Sequence, residues 1–211
     1  MNNEPEMNTT EELDMAPEAP KKGNGFLKSA FDFVEMFAIS VVAVLFIFSL
    51  CLRLCRVDGN SMNKTLVDQE MLITTSLFYE PQQGDIIVFH LSNDYYKQPL
   101  VKRVIATEGQ TVKINFISGE VTVDGKLLDE RYIYVDGGIY RVKTDFDRYY
   151  MRPDDNGDLV FEAKVPEGKI FVMGDNRNHS TDSRSHLVGF VDKDCVLGKA
   201  ILRLDPFTVF D

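Results

Sequence analysis

Ser61 and Lys102 are the two residues of this chain whose types can do chemistry together. Ser61 lies in Asp58-Gly59-Asn60-Ser61-Met62, shortly after a long hydrophobic segment, and Lys102 lies in Leu100-Val101-Lys102-Arg103-Val104-Ile105. A serine hydroxyl is a poor nucleophile until a base takes its proton, and a lysine amine that burial has stripped of charge can be that base. Alternate residues of a strand share a face, so Leu100, Lys102, Val104 and Ala106 line up together. A lysine in that row either snorkels to water or is desolvated. Bringing an amine from its ordinary pKa of about 10.4 to neutrality disfavours the charged form by roughly 4 kcal/mol. Arg103 cannot replace it, because a guanidinium stays protonated. Ser61 beside Gly59 and Asn60 also reads simply as part of a turn.

A third stretch is Gly174-Asp175-Asn176-Arg177-Asn178-His179-Ser180-Thr181-Asp182-Ser183-Arg184. It reads either as a polar loop tied by Asp–Arg pairs or as a loop in which Ser180 also hydrogen-bonds and orients the lysine amine.

These residues need elements to hold them. The chain has 211 residues, room for one domain of moderate size plus extras. A formal charge of −10 argues against nucleic acid as a partner, since phosphate binding needs clustered Lys and Arg. The cysteines Cys51, Cys55 and Cys195 are too few for a disulfide framework and read as free thiols. No Cys/His cluster has metal-ligand spacing, so neither a metal nor a cofactor is expected.

Residues 1–30 read as a disordered, acidic tail, and residues 31–54 as a transmembrane anchor. The apolar run from Met36 to Leu52 is interrupted only by Ser40 and Ser49. With Phe33 and Val34 it approaches the ~30 Å of a bilayer core. Glu35 sits near its start and Arg53 and Arg56 close it. No small-x-small cleavage site follows, which favours an uncleaved anchor over a signal peptide. Lys21, Lys22 and Lys28 against those two arginines favour an N-terminus on the cytoplasmic side of the cell membrane. Ser61 follows Leu52 by nine residues, so it lies within about 30 Å of the bilayer edge.

From residue 55 to 211 the pattern is β. Strand-like runs are Met71–Thr75, Asp85–Phe89, Val101–Thr107, Thr111–Phe116, Glu120–Val123, Arg131–Val135, Leu159–Ala163, Lys169–Met173 and Cys195–Leu204. Turn dipeptides such as Gln83-Gly84, Glu108-Gly109, Asp124-Gly125 and Gly137-Gly138 separate them. The expectation is a mainly β, antiparallel sheet or barrel-like catalytic core with an inserted smaller subdomain at about 124–165.

Together these stretches resemble the type I signal peptidase (leader peptidase) family of bacteria. Four segments carry the resemblance: Gly59-Asn60-Ser61-Met62 with Thr65-Leu66; Gly84 to Phe89; Val101 to Ile105; and Gly174-Asp175-Asn176-Arg177 with Ser180, Asp182, Ser183 and Arg184. Their order and spacing match the family from the membrane segment to Gly198-Lys199-Ala200. The resemblance implies a membrane-bound serine endopeptidase that removes signal peptides from secretory precursors after small-x-small sites such as Ala-x-Ala. It implies Ser61 as nucleophile, Lys102 as general base and Ser180 as the residue that positions Lys102. It further implies an Asp182–Arg184 ion pair, an Arg103–Asp175 pair, and Met62 near the pocket for the residue before the cut. Two positions depart from the pattern. Lys64 stands where the family usually has proline, and Gly59 stands where some members have a serine that helps bind the oxyanion.

Two other readings remain open on the residues alone. One is a Ser/His hydrolase using His179, which sits in the polar loop. The other is a non-catalytic, membrane-tethered β-domain that binds a partner, which gives Lys102 no reason to sit in an apolar strand.

Overall fold

The computed structural model describes residues 25–91, 95–135 and 151–210. The expected tail up to residue 24, the Gly137-Gly138 turn and the middle of the expected insertion lie outside the described residues. Two compact units divide the chain, Met1–Leu45 and Phe46–Asp211.

Helix α1 spans Gly25–Cys51 and contains no proline. It starts well ahead of the apolar run because Phe26, Ala30, Phe33 and Phe37 already recur at helical spacing. The span Lys28–Ser49 has a mean hydropathy of 2.3, and none of it is buried. At 1.5 Å per residue the helix is about 40 Å long, enough to cross a bilayer. It ends at Cys51, where Leu52–Arg56 turns extended and pairs antiparallel with Met71–Thr75. The helix therefore stops at Cys51, three residues before the expected end of the anchor at residue 54.

The strands of the second unit are β1 (Leu52–Arg56), β2 (Met71–Thr75), β3 (Ile86–Phe89), β4 (Leu100–Thr107), β5 (Thr111–Asn115), β6 (Val121–Val123), β7 (Lys126–Leu127), β8 (Met151–Pro153), β9 (Leu159–Lys164), β10 (Lys169–Met173), β11 (Val191–Asp192), β12 (Val196–Leu204) and β13 (Phe207–Val209). The larger sheet has eight strands in the order β1-β2-β12-β3-β4-β10-β11, with β13 paired to β12. The smaller has five, in the order β7-β6-β5-β9-β8. All the pairings are antiparallel.

The smaller sheet starts at Thr111, upstream of the insertion expected from residue 124, because β5 pairs with β9 along its whole length. Arg131–Val135, which reads as a strand, joins neither sheet. It makes a single parallel bridge, Tyr134 to Asn176.

One core fills the space between the sheets, with Ile105, Phe171 and Met173 packed on Val112, Ile114 and Phe161. Ile87, Phe89, Val104, Ile170 and Val172 form a second cluster. A third cluster of Val57, Met62, Leu66, Leu72, Ile86 and Ala200 lies under the turn that carries Ser61. Full burial of a side chain such as Met62 contributes about 1.5–3 kcal/mol, so this cluster pins the turn from below.

Candidate active site

β4 is where the two sides of the site meet. Its first residues pair with β3, Leu100 to Phe89 and Lys102 to Ile87, and its later ones with β10. Lys102 therefore shares a face with Ile87, which is fully buried, and is itself only 3% exposed. Its Nζ is hydrogen-bonded to Ser61 Oγ at 2.7 Å and to the Val101 carbonyl at 2.9 Å. Ser61 is half-buried on the turn between β1 and β2.

That turn is fixed on both flanks. Gly59 has a φ of 89°, a region closed to most side chains, and its N–H donates to Asp68 Oδ1 at 2.7 Å. Met62 is 1% exposed, and its carbonyl accepts from the Leu66 N–H at 2.9 Å. From the opposite side, the Asn176 N–H donates to the Ser61 carbonyl and its Nδ2 to the Asn60 carbonyl, both at 3.0 Å.

Arg103, next to Lys102 but on the other face of β4, grips Asp175 with two bonds, Nε to Oδ1 at 2.9 Å and Nη2 to Oδ2 at 2.7 Å. Its third nitrogen donates to the Gly84 carbonyl at 2.7 Å. Thr65 Oγ1 donates to Asp175 Oδ2 at 2.5 Å. One buried carboxylate thus ties the strand of the lysine to the turn of the serine.

The loop after β10 buries its charges in pairs. Arg184 donates from Nε to Asp182 Oδ1 at 2.8 Å and from Nη2 to Oδ2 at 2.9 Å, and the Gly174 N–H reaches the same Oδ2 at 2.9 Å. Burial pushes the Asp182 carboxyl up, but the Arg184 charge and hydrogen bonds, with the Gly174 N–H and Ser180 hydroxyl, outweigh it and hold the group at about 2. Ser180 is 2% exposed. A Cβ added to Gly174 would collide with the Ser180 side chain and with the Ser61 carbonyl, so only glycine permits this approach.

Of the residues expected from sequence, Ser61 and Lys102 are in direct contact, as are Arg103 with Asp175 and Asp182 with Arg184. Ser180 packs on Gly174 beside the Ser61 carbonyl, and Asn60 and Met62 belong to the fixed turn. His179 is exposed, while the Ser61 hydroxyl is engaged by Lys102. Sequence reasoning placed Thr65, Asn176 and Arg177 in the matching segments without giving them a role, and missed Glu130 and Tyr132. Their partners lie up to 116 positions away, as for Asn176 with Asn60, and no local pattern reveals such a pair. Among the described residues no group of His, Cys, Asp or Glu is placed to hold a metal ion.

The mainly β frame thus presents a serine hydroxyl against a buried lysine amine. The family model described as signal peptidase, peptidase S26, matches residues 30–204. A probable signal peptidase I-1 of Synechocystis is 38% identical over 159 residues, covering 71% of this chain and 69% of its own. Signal peptidase I S of Bacillus subtilis is 34% identical over 183 residues, covering 85% of this chain and 91% of its own. A crystal structure of a signal peptidase I from Enterococcus faecalis V583 shares 31% identity over 57% of this chain and 97% of its own, with a TM-score of 0.40. The chain belongs to the signal peptidase family, peptidase S26, and is a serine endopeptidase of that family.

Proposed function

We propose that this protein removes signal peptides from secretory precursors by a Ser61 nucleophile and a Lys102 general base. The observation that carries the reading is the 2.7 Å contact between Lys102 Nζ and Ser61 Oγ, made by a lysine only 3% exposed. Burial beside Ile87 and Val104 disfavours an ammonium, and a neutral amine has the lone pair that accepts the hydroxyl proton.

In the first step the Ser61 oxygen bonds to the carbonyl carbon before the cut, and its proton passes to Lys102. The tetrahedral oxyanion takes a hydrogen bond from the Ser61 N–H. Lys102 then gives the proton to the leaving amine as the C–N bond breaks, leaving an acyl-enzyme. Water attacks that ester with Lys102 again as base, and Ser61 recovers its proton. Ser180 positions the amine, the Arg103–Asp175 and Asp182–Arg184 pairs hold the surrounding loop, and no cofactor takes part.

The precursor binds extended. Leu100–Lys102 pair with β3 on one side only, since β10 reaches no further than Arg103, and this leaves a backbone edge for an added strand. Beside that edge lies a cavity of about 270 Å³ bordered by Asp58, Tyr95 and Leu100. Shallow apolar pockets near Met62 accept small residues, giving cuts after Ala-x-Ala-like sites.

α1 crosses the cell membrane once with the N-terminus cytoplasmic, and the catalytic unit works outside. One exposed sheet face supports contact with lipid. Leu54, Ile73, Leu202 and Val209 are cross-strand neighbours over β1, β2, β12 and β13, with Leu54 61% and Val209 63% exposed. β1 follows directly on α1 in the chain, and an exposed apolar face of this kind marks a membrane or partner contact. Incubating the purified chain with a precursor bearing an Ala-x-Ala site tests the reading. A single cut after the second alanine is expected, and uncut precursor would refute it.

A further inference from the structure

We propose that Glu130 and Tyr132 are positioning residues for this chemistry, and that the segment they belong to clamps the nucleophile and the base in register. The inference rests on the Ser61–Lys102 reading above.

The segment follows β7 and leaves the smaller sheet to reach the loop after β10. Glu130 accepts an ion-paired hydrogen bond from Arg177 Nη2, and Arg177 is fully buried. Arg177 Nε donates to the Gly174 carbonyl at 3.2 Å, and its Nη1 finds no acceptor among the described residues. Glu130 is therefore the carboxylate on which this buried cation depends. Two residues on, the Tyr132 ring lies under the Arg103 guanidinium, 4.0 Å from its carbon. Two further on, Tyr134 closes the clamp with its backbone. Its N–H donates to the Asp175 carbonyl at 2.8 Å, and its carbonyl accepts from the Arg177 N–H at 3.0 Å.

The turn from Gly174 to Arg177 is thus gripped from outside at each of its ends. Its inner side holds both partners of the reaction. Asn176 bonds the carbonyls of Asn60 and Ser61, and Asp175 bonds Arg103, the neighbour of Lys102. A shift of this turn moves Ser61 against Lys102. Burial raises the Glu130 carboxyl against the opposing pull of Arg177 and Arg184, with Asp175 adding to the rise.

The test uses the full chain in detergent micelles cutting a purified Ala-x-Ala precursor. Glu130→Gln keeps the side-chain shape and removes the charge. The pair Glu130→Met/Arg177→Met removes both charges and fills the space, a replacement that folds generally tolerate. Glu130→Gln orphans the buried Arg177 and is expected to melt lower, whereas the double variant is expected to melt near the wild-type temperature; both are expected to lose about 10- to 100-fold in kcat with KM little changed, the scale of a misplacement approaching 1 Å. Tyr132→Leu is expected to lose about tenfold in kcat, and Tyr132→Phe, which restores the ring, to rescue it. Wild-type kcat in both Glu130 variants, or a double variant whose kcat falls only in step with its melting temperature, would overturn the assignment. Ser61→Ala and Lys102→Met run alongside keep the two questions apart. Cleavage by either of them sinks the Ser61–Lys102 reading, whatever the Glu130 variants do.

Discussion

The loop after β10 and the outer face of β1, β2, β12 and β13 invert the usual partition of residues in opposite directions. The loop buries charge: Asp175, Arg177, Asp182 and Arg184 are each at most 5% exposed. The sheet face exposes hydrocarbon: Leu54, Phe207 and Val209 are each more than 60% exposed. Buried ion pairs are a poor source of stability, because desolvation consumes most of their attraction. What they supply is geometry, since each guanidinium fork accepts one arrangement of its carboxylate. The exposed face has no such partner among the described residues, and the proposed function turns it to lipid. One region is organised to hold atoms still; under the proposed function the other holds the domain against a surface.

The contrast breaks most visibly at the reacting atoms. Ser61→Ala is expected to lower kcat by about 10⁴-fold or more while the protein stays folded, as judged by cleavage kinetics and thermal melting side by side. Retained cleavage would mean that the loop is merely structural.

Next comes the cost of orphaning a buried charge. Asp175→Asn leaves Arg103 without its carboxylate and is expected to destabilise by about 3–5 kcal/mol in urea unfolding. A loss below 1 kcal/mol would show the pair to be well solvated.

Acid should unlock the same loop. Asp182 is held at about 2, below its ordinary 3.8, so its contribution is fully present above pH 3.8 and is lost as pH falls through about 2. That window is worth roughly 2 kcal/mol, and Asp182→Asn should flatten it in unfolding curves taken between pH 5 and pH 2. An unchanged acid slope in the variant would assign the loss to other groups.

The smallest effect is on the sheet face. Leu54→Ser with Phe207→Ser is expected to change stability by no more than about 0.5 kcal/mol, because these side chains are already in solvent. Cleavage of a bilayer-inserted precursor should slow while cleavage of a short soluble peptide does not. Equal rates on both substrates would remove the lipid role.

Much of this was legible in the sequence because it is local. Met71–Thr75 alternates, and it is β2 with those bounds. Lys102 shows its face through Val104 and Ala106, and both neighbours are buried. β1 was hidden because its leucines continue an apolar run, and only Leu52-Arg53-Leu54 alternates. β7, β11 and β13 are two or three residues long, too short for any periodicity to register. The clamp was illegible for a different reason. Glu130 and Arg177 are 47 positions apart, and Arg131–Val135 has strand composition yet uses its backbone on a loop instead of a sheet.

The most direct test of the central claim is the fate of Lys102→Arg on a purified precursor with an Ala-x-Ala site, with the cut located by mass spectrometry from pH 5 to pH 10. The wild-type chain is expected to cut once, weakly in acid and faster as pH rises through the pKa of its base. The arginine variant keeps length and charge but cannot shed its proton, and it is expected to leave the precursor whole. Cleavage by that variant at the wild-type rate, or a wild-type profile peaking near pH 6 as a histidine base would give, would contradict the account.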